Sequence, residues 1–427
     1  MLQLFQSSTI PYYLYQALAR ASFSRALFIL FLSHRGLSQG QIGLLQSALF
    51  AANVLSEIPT GVIGDKYGRK ISVLIGLSLL ATNAVGMLFA QDFWLFFALF
   101  VIQGLGFSFK SGSDEALFYD MLKRSGMEPR YEQIASRAHA VGTASFGLSM
   151  ICGGFLANIS WSLLYVGNLA ATTLAFIVFV LVKDATIPHD TAPNNSKFEM
   201  GSDSKDDAEA EAVTQNVPFT IKNVFSFLSK RDGKSLLMLI VALALFEAAI
   251  TPYFVFAQSL FDAQGLSERS IALVYGVLEL SGAALSLANS FVRRHVNRNV
   301  LIIGGMLLCS ALIAMNGLVS GFASFVIFAL TMCIPDLFHA SANALLHESV
   351  SSEMRATMLS LESFFMSLFI GGSYTVAGFL FEVTSPPRAI ALMSIFPLAA
   401  VSMLFVSFSL RQQREIADPR YFMESEG

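Results

Sequence analysis

The chain has 427 residues, of which 54% are hydrophobic and 13% charged, with a mean hydropathy of +0.61. A soluble globular chain carries about 25% charged residues, so this composition excludes a soluble enzyme, a disordered protein and a small disulfide scaffold. A net charge of −3 implies no nucleic-acid partner. The segment from Met1 to Pro11 holds no Lys or Arg, and no A-x-A site follows a short apolar core, so no signal peptide is expected. Twelve apolar runs then follow, each long enough to cross a bilayer. They lie at 12–33, 41–62, 71–91, 94–119, 137–158, 161–182, 235–257, 270–292, 299–319, 322–347, 355–380 and 388–410. Helices are the form such runs must take, because lipid offers backbone groups no other partner. Cys152, Cys309 and Cys333 each sit in an apolar run and read as small hydrophobes rather than a disulfide or metal set.

Basic residues set the orientation. Twenty-one of the 27 Lys and Arg fall in one set of alternating connections and three, Arg35, Arg269 and Arg388, in the other. That split places the first set and both termini in the cytoplasm. Arg20, Arg25 and Lys110 fall inside spans. One long polar stretch, 183–233, carries Asp203, Asp206, Asp207, Glu209 and Glu211 among small residues and reads as a disordered linker. Its end, from Phe219 to Arg231, has the pattern of a short amphipathic helix on the inner membrane surface. The expected architecture is all-α: an N-terminal six-helix bundle (1–182), a cytoplasmic linker (183–233) and a C-terminal six-helix bundle (234–427).

The halves repeat. A shift of 229 residues sets Arg35-Gly36-Leu37-Ser38 on Gln264-Gly265-Leu266-Ser267, Ile42 on Ile271 and Arg69 on Arg298. A shift of 228 sets Ser113 and Ala116-Leu117 on Ser341 and Ala344-Leu345, with Asp120 on Glu348. Parallel six-helix repeats of this kind bracket a midplane site in transporters. If the repeat is functional, Arg69 reaches Asp120 and Arg298 reaches Glu348.

The connection after the second span reads Gly61-Val-Ile-Gly64-Asp65-Lys66-Tyr67-Gly68-Arg69-Lys70. It resembles the G-x-x-x-D-R-x-G-R-[KR] loop of the major facilitator superfamily. Twelve spans, two halves, inward termini and a long central linker are also similar to that family. By this resemblance Gly61, Asp65, Gly68, Arg69, Lys70 and Asp120 belong to a conformational latch between halves. From the residues alone, Gly68 permits a tight turn, Asp65 suits a helix N-cap, and Arg69 can fork onto a carboxylate. The C-terminal copy of the loop has no counterpart of Asp65. The family's antiporter motif in the fifth helix has a Gly-Pro pair; Gly147 to Gly154 has the glycines without the proline, and close helix packing accounts for them.

Ionisable residues inside spans are functional candidates. Lys110 and Asp114 are four apart and share a helix face, either as an ion pair or, with Glu115, toward a cavity. Asp120 is expected to pair with Arg69 or Arg124. Glu247 and Glu279 lie midway in the seventh and eighth spans with no basic residue within four positions. A lone carboxyl there suits proton coupling or substrate contact, or else hydrogen-bonds across helices while protonated. Glu57 and Glu362 fit structural pairing. Arg20 can snorkel to the interface, whereas Arg25, too deep for that, pairs with Asp114 or Glu115 or faces substrate. Gly36-Leu-Ser38-Gln-Gly40 matches a nucleophile elbow but follows no strand, and Gly233-Lys234-Ser235 lacks the remaining glycine of a P-loop. The histidines show no metal spacing, although His339 and His347 share roughly one face.

Together these residues imply a secondary transporter, not an enzyme, in a bacterial cytoplasmic (inner) membrane. It moves a small molecule by alternating access, with proton-driven export first and uptake of an organic anion second. Protons are the expected coupling ion, no cofactor is expected, and a monomer is expected. A membrane sensor without turnover is the reading from another class.

Overall fold

In the computed structural model, residues 9–124, 126–182, 231–348 and 355–417 are described. The expected linker and its amphipathic end lie outside the described residues, apart from the start of the seventh span. Every regular element among the described residues is helical. Among the described residues, ten helices are long and apolar enough to cross a membrane. Glu268–His295, the eighth span, has 28 residues. The first span is divided between Ile10–Arg20 and Phe28–His34.

Local chemistry sets the helix ends. Ser38 caps Gln39–Tyr67, its hydroxyl accepting from Gln41 N while the Gln41 side chain takes Ser38 N. Asp92 accepts from the backbone of Trp94 and Leu95 at the start of Phe93–Lys110. Gly68, at φ 98°, turns the chain between the second span and the third, Arg69–Phe89. The run expected at 94–119 is not continuous. Its helix stops at Lys110, Gly112 takes φ 70°, and a second helix, Ser113–Arg124, follows. The twelfth span likewise divides into Pro386–Met393 and Ile395–Ala417.

The fifth and sixth spans are Tyr131–Ala157 and Ser162–Leu181. The seventh is Arg231–Ala263, and the ninth to eleventh are Arg298–Asn316, Phe322–Glu348 and Arg355–Val383. The first span packs on the fifth and sixth, the second on the fourth, and the third on the fourth and sixth. In the C-terminal set the seventh packs on the eleventh and twelfth, the eighth on the tenth, and the ninth on the tenth and twelfth. Among the described residues the main pairings between the two sets are second with eleventh, fifth with eighth, and first with seventh.

The face bearing the Gly61–Lys70 loop is termed inner, following the charge count. The joining contacts gather toward the outer face. Glu382 Oε2 accepts from Ser38 Oγ and Gly40 N, both at 2.8 Å. Gly43 lies against the backbone of Tyr374 and Gly378, Gly147 against Gly276, and Gly154 against Ala272. A Cβ at any of these glycines would force the helices apart, which is why the fifth span carries glycines there.

The repeat is visible in geometry. Gly36 and Gly265, 229 apart, take φ 88° and 80°. Ser38 Oγ accepts from Gln41 N, and Ser267 Oγ accepts from Ser270 N, at the same shift. Arg69 meets Asp120 at 2.6 Å, and Arg298 meets Glu348 at 2.6 Å.

Candidate functional site

The site begins with the break in the first span. Arg20-Ala-Ser-Phe-Ser-Arg25 sets two guanidinium groups and two hydroxyls inside an apolar run, and residues 21–27 leave the helix. Unpaired backbone groups at this depth cost several kcal/mol each, so side chains from three other spans take them up. Ser22 N donates to Ser149 Oγ and Phe23 N to Asn168 Oδ1, each at 2.8 Å. The Asn168 amide donates to Ser24 Oγ at 2.8 Å. From the seventh span, Gln258 accepts from Ile29 N at 3.2 Å and donates to the Arg25 carbonyl at 3.0 Å. Gly153 and Gly167 leave room for Phe23.

The same shift of 229 residues carries Phe23 onto Pro252, which lies inside the seventh helix. The seventh helix runs unbroken from Arg231 to Ala263 through Pro252, so the interruption is confined to the first span. A cavity of about 440 Å³ adjoins the break. Arg20 and Arg25 line it, with the amides of Gln46, Asn53, Asn83 and Gln103. Tyr374 closes it from the eleventh span.

Arg25 does not pair with Asp114 or Glu115 among the described residues. Its guanidinium stands 5.6 Å from the Phe28 ring centroid and 5.5 Å from that of Phe254, beside Tyr374. Arg20, expected at the interface, packs on Gly142 and lines the cavity, because the break turns it inward. Lys110 and Asp114 do not share a face, since Gly112 ends the helix between them. Tyr15 stands between the two: its hydroxyl donates to Asp114 Oδ2 at 3.0 Å, and Lys110 Nζ lies 5.9 Å from its ring centroid. Glu115 is exposed.

The C-terminal set supplies further carboxyls, none of them among the residues that line this cavity. Glu247 is not alone. His339 Nε2 is 2.9 Å from its Oε1, and Thr251 Oγ1 donates to its Oε2 at 3.4 Å. His339 comes from the tenth span, so no spacing along the seventh could have shown it. Glu279 makes no hydrogen bond or ion pair among the described residues. It lies within electrostatic reach of Arg25, Asp336 and Arg20. Asp336 reaches toward the eighth span at Gly282. Asp336 and Gln258 are absent from the site that sequence reading assembles, although a carboxyl three residues before His339 was a visible signal.

In the inner loop, Arg69 bonds Asp120 in the same half. Lys70 Nζ donates to the carbonyls of Val180 and Val182 at 3.0 and 2.6 Å, holding the end of the sixth span. Asp65 is no N-cap. It falls in the last turn of the second span, exposed and without a hydrogen bond or ion pair among the described residues. Gly61 has open space around it. Glu57, expected to pair, is exposed and likewise without an ion pair among the described residues. His347 and Arg355 are not described at the side-chain level.

Comparison with known proteins agrees with this geometry. A family model described as Major Facilitator Superfamily matches residues 10–361. The chain belongs to the major facilitator superfamily. The MFS-type transporter YwoD of Bacillus subtilis (strain 168) is 27% identical over 144 residues, 33% of this chain and 30% of the relative. The vesicular acetylcholine transporter of Torpedo marmorata is 31% identical over 111 residues, 25% of this chain and 20% of the relative. The chain therefore matches under a third of these relatives' lengths. Among solved structures, the nucleoside transporter NupG superposes with a TM-score of 0.68 at 16% identity, covering 96% of this chain and 98% of that one. A D-xylose-proton symporter superposes at 0.66 and 14% identity, covering 94% and 96%. At those identities the likeness concerns the fold, and it extends over both halves.

Proposed function

We propose that this protein is a proton-coupled transporter that carries a small organic solute through the cavity at the first-span break by alternating access. Family membership makes transport the expected activity. Glu247 and His339 carry the coupling in this reading. The supporting observation is a carboxylate and an imidazole 2.9 Å apart inside the membrane, on two different spans. Such a pair holds a proton while the spans stay together and can release it when they separate. Joining contacts at the outer face and an unengaged Asp65 at the inner face fit an inward-open state. In that state the cavity loads from the cytoplasm, as export driven by inward proton flow requires. The surroundings are a bacterial cytoplasmic membrane, and the working unit is a monomer.

Uptake of an organic anion is the second reading, favoured by the guanidinium groups of Arg20 and Arg25 at the cavity. Both are tested in proteoliposomes under an imposed pH gradient, with solute flux and proton flux recorded together. Glu247→Gln should abolish pH-driven flux while solute exchange without a gradient persists. Parental coupled flux in that variant would remove the pair from the coupling role, and the sign of the proton–solute stoichiometry separates export from uptake.

A further inference from the structure

The repeat identifies where the two halves have diverged in charge. The shift of 229 residues sets Arg25 on Phe254 and Phe50 on Glu279. Arg25 and Phe50 both line the central cavity, and Arg25 stacks on Phe254, its own counterpart across the pseudo-two-fold. Glu279 therefore holds, in the C-terminal half, the place that Phe50 holds beside the cavity in the N-terminal half. The cavity's own lining comes from the N-terminal half and Tyr374, and by the register Glu279 faces Arg25 from the C-terminal half.

These two charges see one another without meeting. Glu279 lies within electrostatic reach of Arg25, yet among the described residues neither has an ion-pair partner within 4.0 Å. Arg20 accompanies Arg25 in the lining. Asp114 is taken up by Tyr15 and Glu247 by His339. Unmatched charges of opposite sign at membrane depth are expensive. A ligand bearing both counter-charges would neutralise Arg25 and Glu279 at once, and bridging them would also draw the halves together. The lining sets aromatic rings, among them Phe28, Phe50, Phe146 and Tyr374, beside the amides already named. The volume of about 440 Å³ falls in the range of small-molecule sites.

We propose that the substrate is a small zwitterion of amino-acid or dipeptide type with an apolar body, its carboxylate on Arg25 and its ammonium on Glu279. This rests on the reading of the cavity as the transport site but not on proton coupling.

The test is binding to the full purified chain in detergent at fixed pH, followed by thermal unfolding. The probes are free phenylalanine, tryptophan, leucine and methionine with their dipeptides, each beside its N-acetyl form and its methyl ester. At least one zwitterion should stabilise the chain saturably, and masking either charge should weaken binding by more than roughly tenfold. Arg25→Gln should make ester and zwitterion equivalent, and Glu279→Gln should make the N-acetyl form and zwitterion equivalent. Because the masked series is run on the parent chain, a variant that fails to fold does not block the outcome. Absence of binding by every zwitterion, or equal binding of the masked forms to the parent chain, overturns the proposal. Tight binding of the N-acetyl forms would instead leave a plain organic anion as substrate. No gradient enters this experiment, so loss of pH-driven flux and loss of zwitterion binding report on separate claims.

Discussion

Both ends of the Gln258 amide are occupied by the backbone of the first span. Asn168 does the same from the sixth span, taking Phe23 N and giving a hydrogen to Ser24 Oγ. These side chains substitute for the helix hydrogen bonds that residues 21–27 forgo. Removing such a partner leaves a buried backbone group unsatisfied, at about 1–3 kcal/mol. Gln258→Leu should therefore lower the unfolding midpoint of the detergent-solubilised protein clearly. Arg69→Ala, which breaks an ion pair 44% and 40% exposed, should cost under about 1 kcal/mol. An unchanged midpoint for Gln258→Leu would mean that the break is held by packing alone.

At the scale of elements, the inner loop divides its tasks. Gly68 makes the turn, Lys70 holds the sixth span, and Arg69 holds the fourth. All three act inside the N-terminal half, so they stiffen it as a body. Asp65 makes no hydrogen bond or ion pair among the described residues, which leaves it available for a contact made in another state. Asp65→Asn should accordingly slow transport while expression and unfolding midpoint stay near parental. A parental rate would remove the loop's carboxylate from any latch. The pair Arg298 and Glu348 repeats the stiffening in the other half, where no such carboxylate follows the eighth span.

For the whole molecule, alternating access requires that the outer contacts part. Glu382 must release Ser38 and Gly40, and the glycine-lined approach of the fifth and eighth spans must open. Which face is inner follows from the charge split, and this is open to direct measurement. Reporter fusions at Ala210 and Gly427 should read cytoplasmic, and a fusion at Asn316-Gly317 extracytoplasmic. The reverse pattern would invert the orientation and, with it, the loading side of the cavity.

Composition and periodicity alone determined the helical membrane fold, the twelve spans and the repeat, since lipid leaves the backbone one option and charge bias follows the loops. The pairing of Arg69 with Asp120 was legible too, because the repeat offered a second copy with the same separation. Tertiary structure decided what the first span does. Nothing in Ala21 to Leu27 is a helix breaker by propensity, with neither Gly nor Pro, and the break exists because Ser149, Asn168 and Gln258 arrive from elsewhere to satisfy it. It decided also that Glu247 has His339 as a partner. Depth in a span can be read along one chain, whereas partners inside a bundle come from helices far apart in sequence, through distances that spacing does not encode.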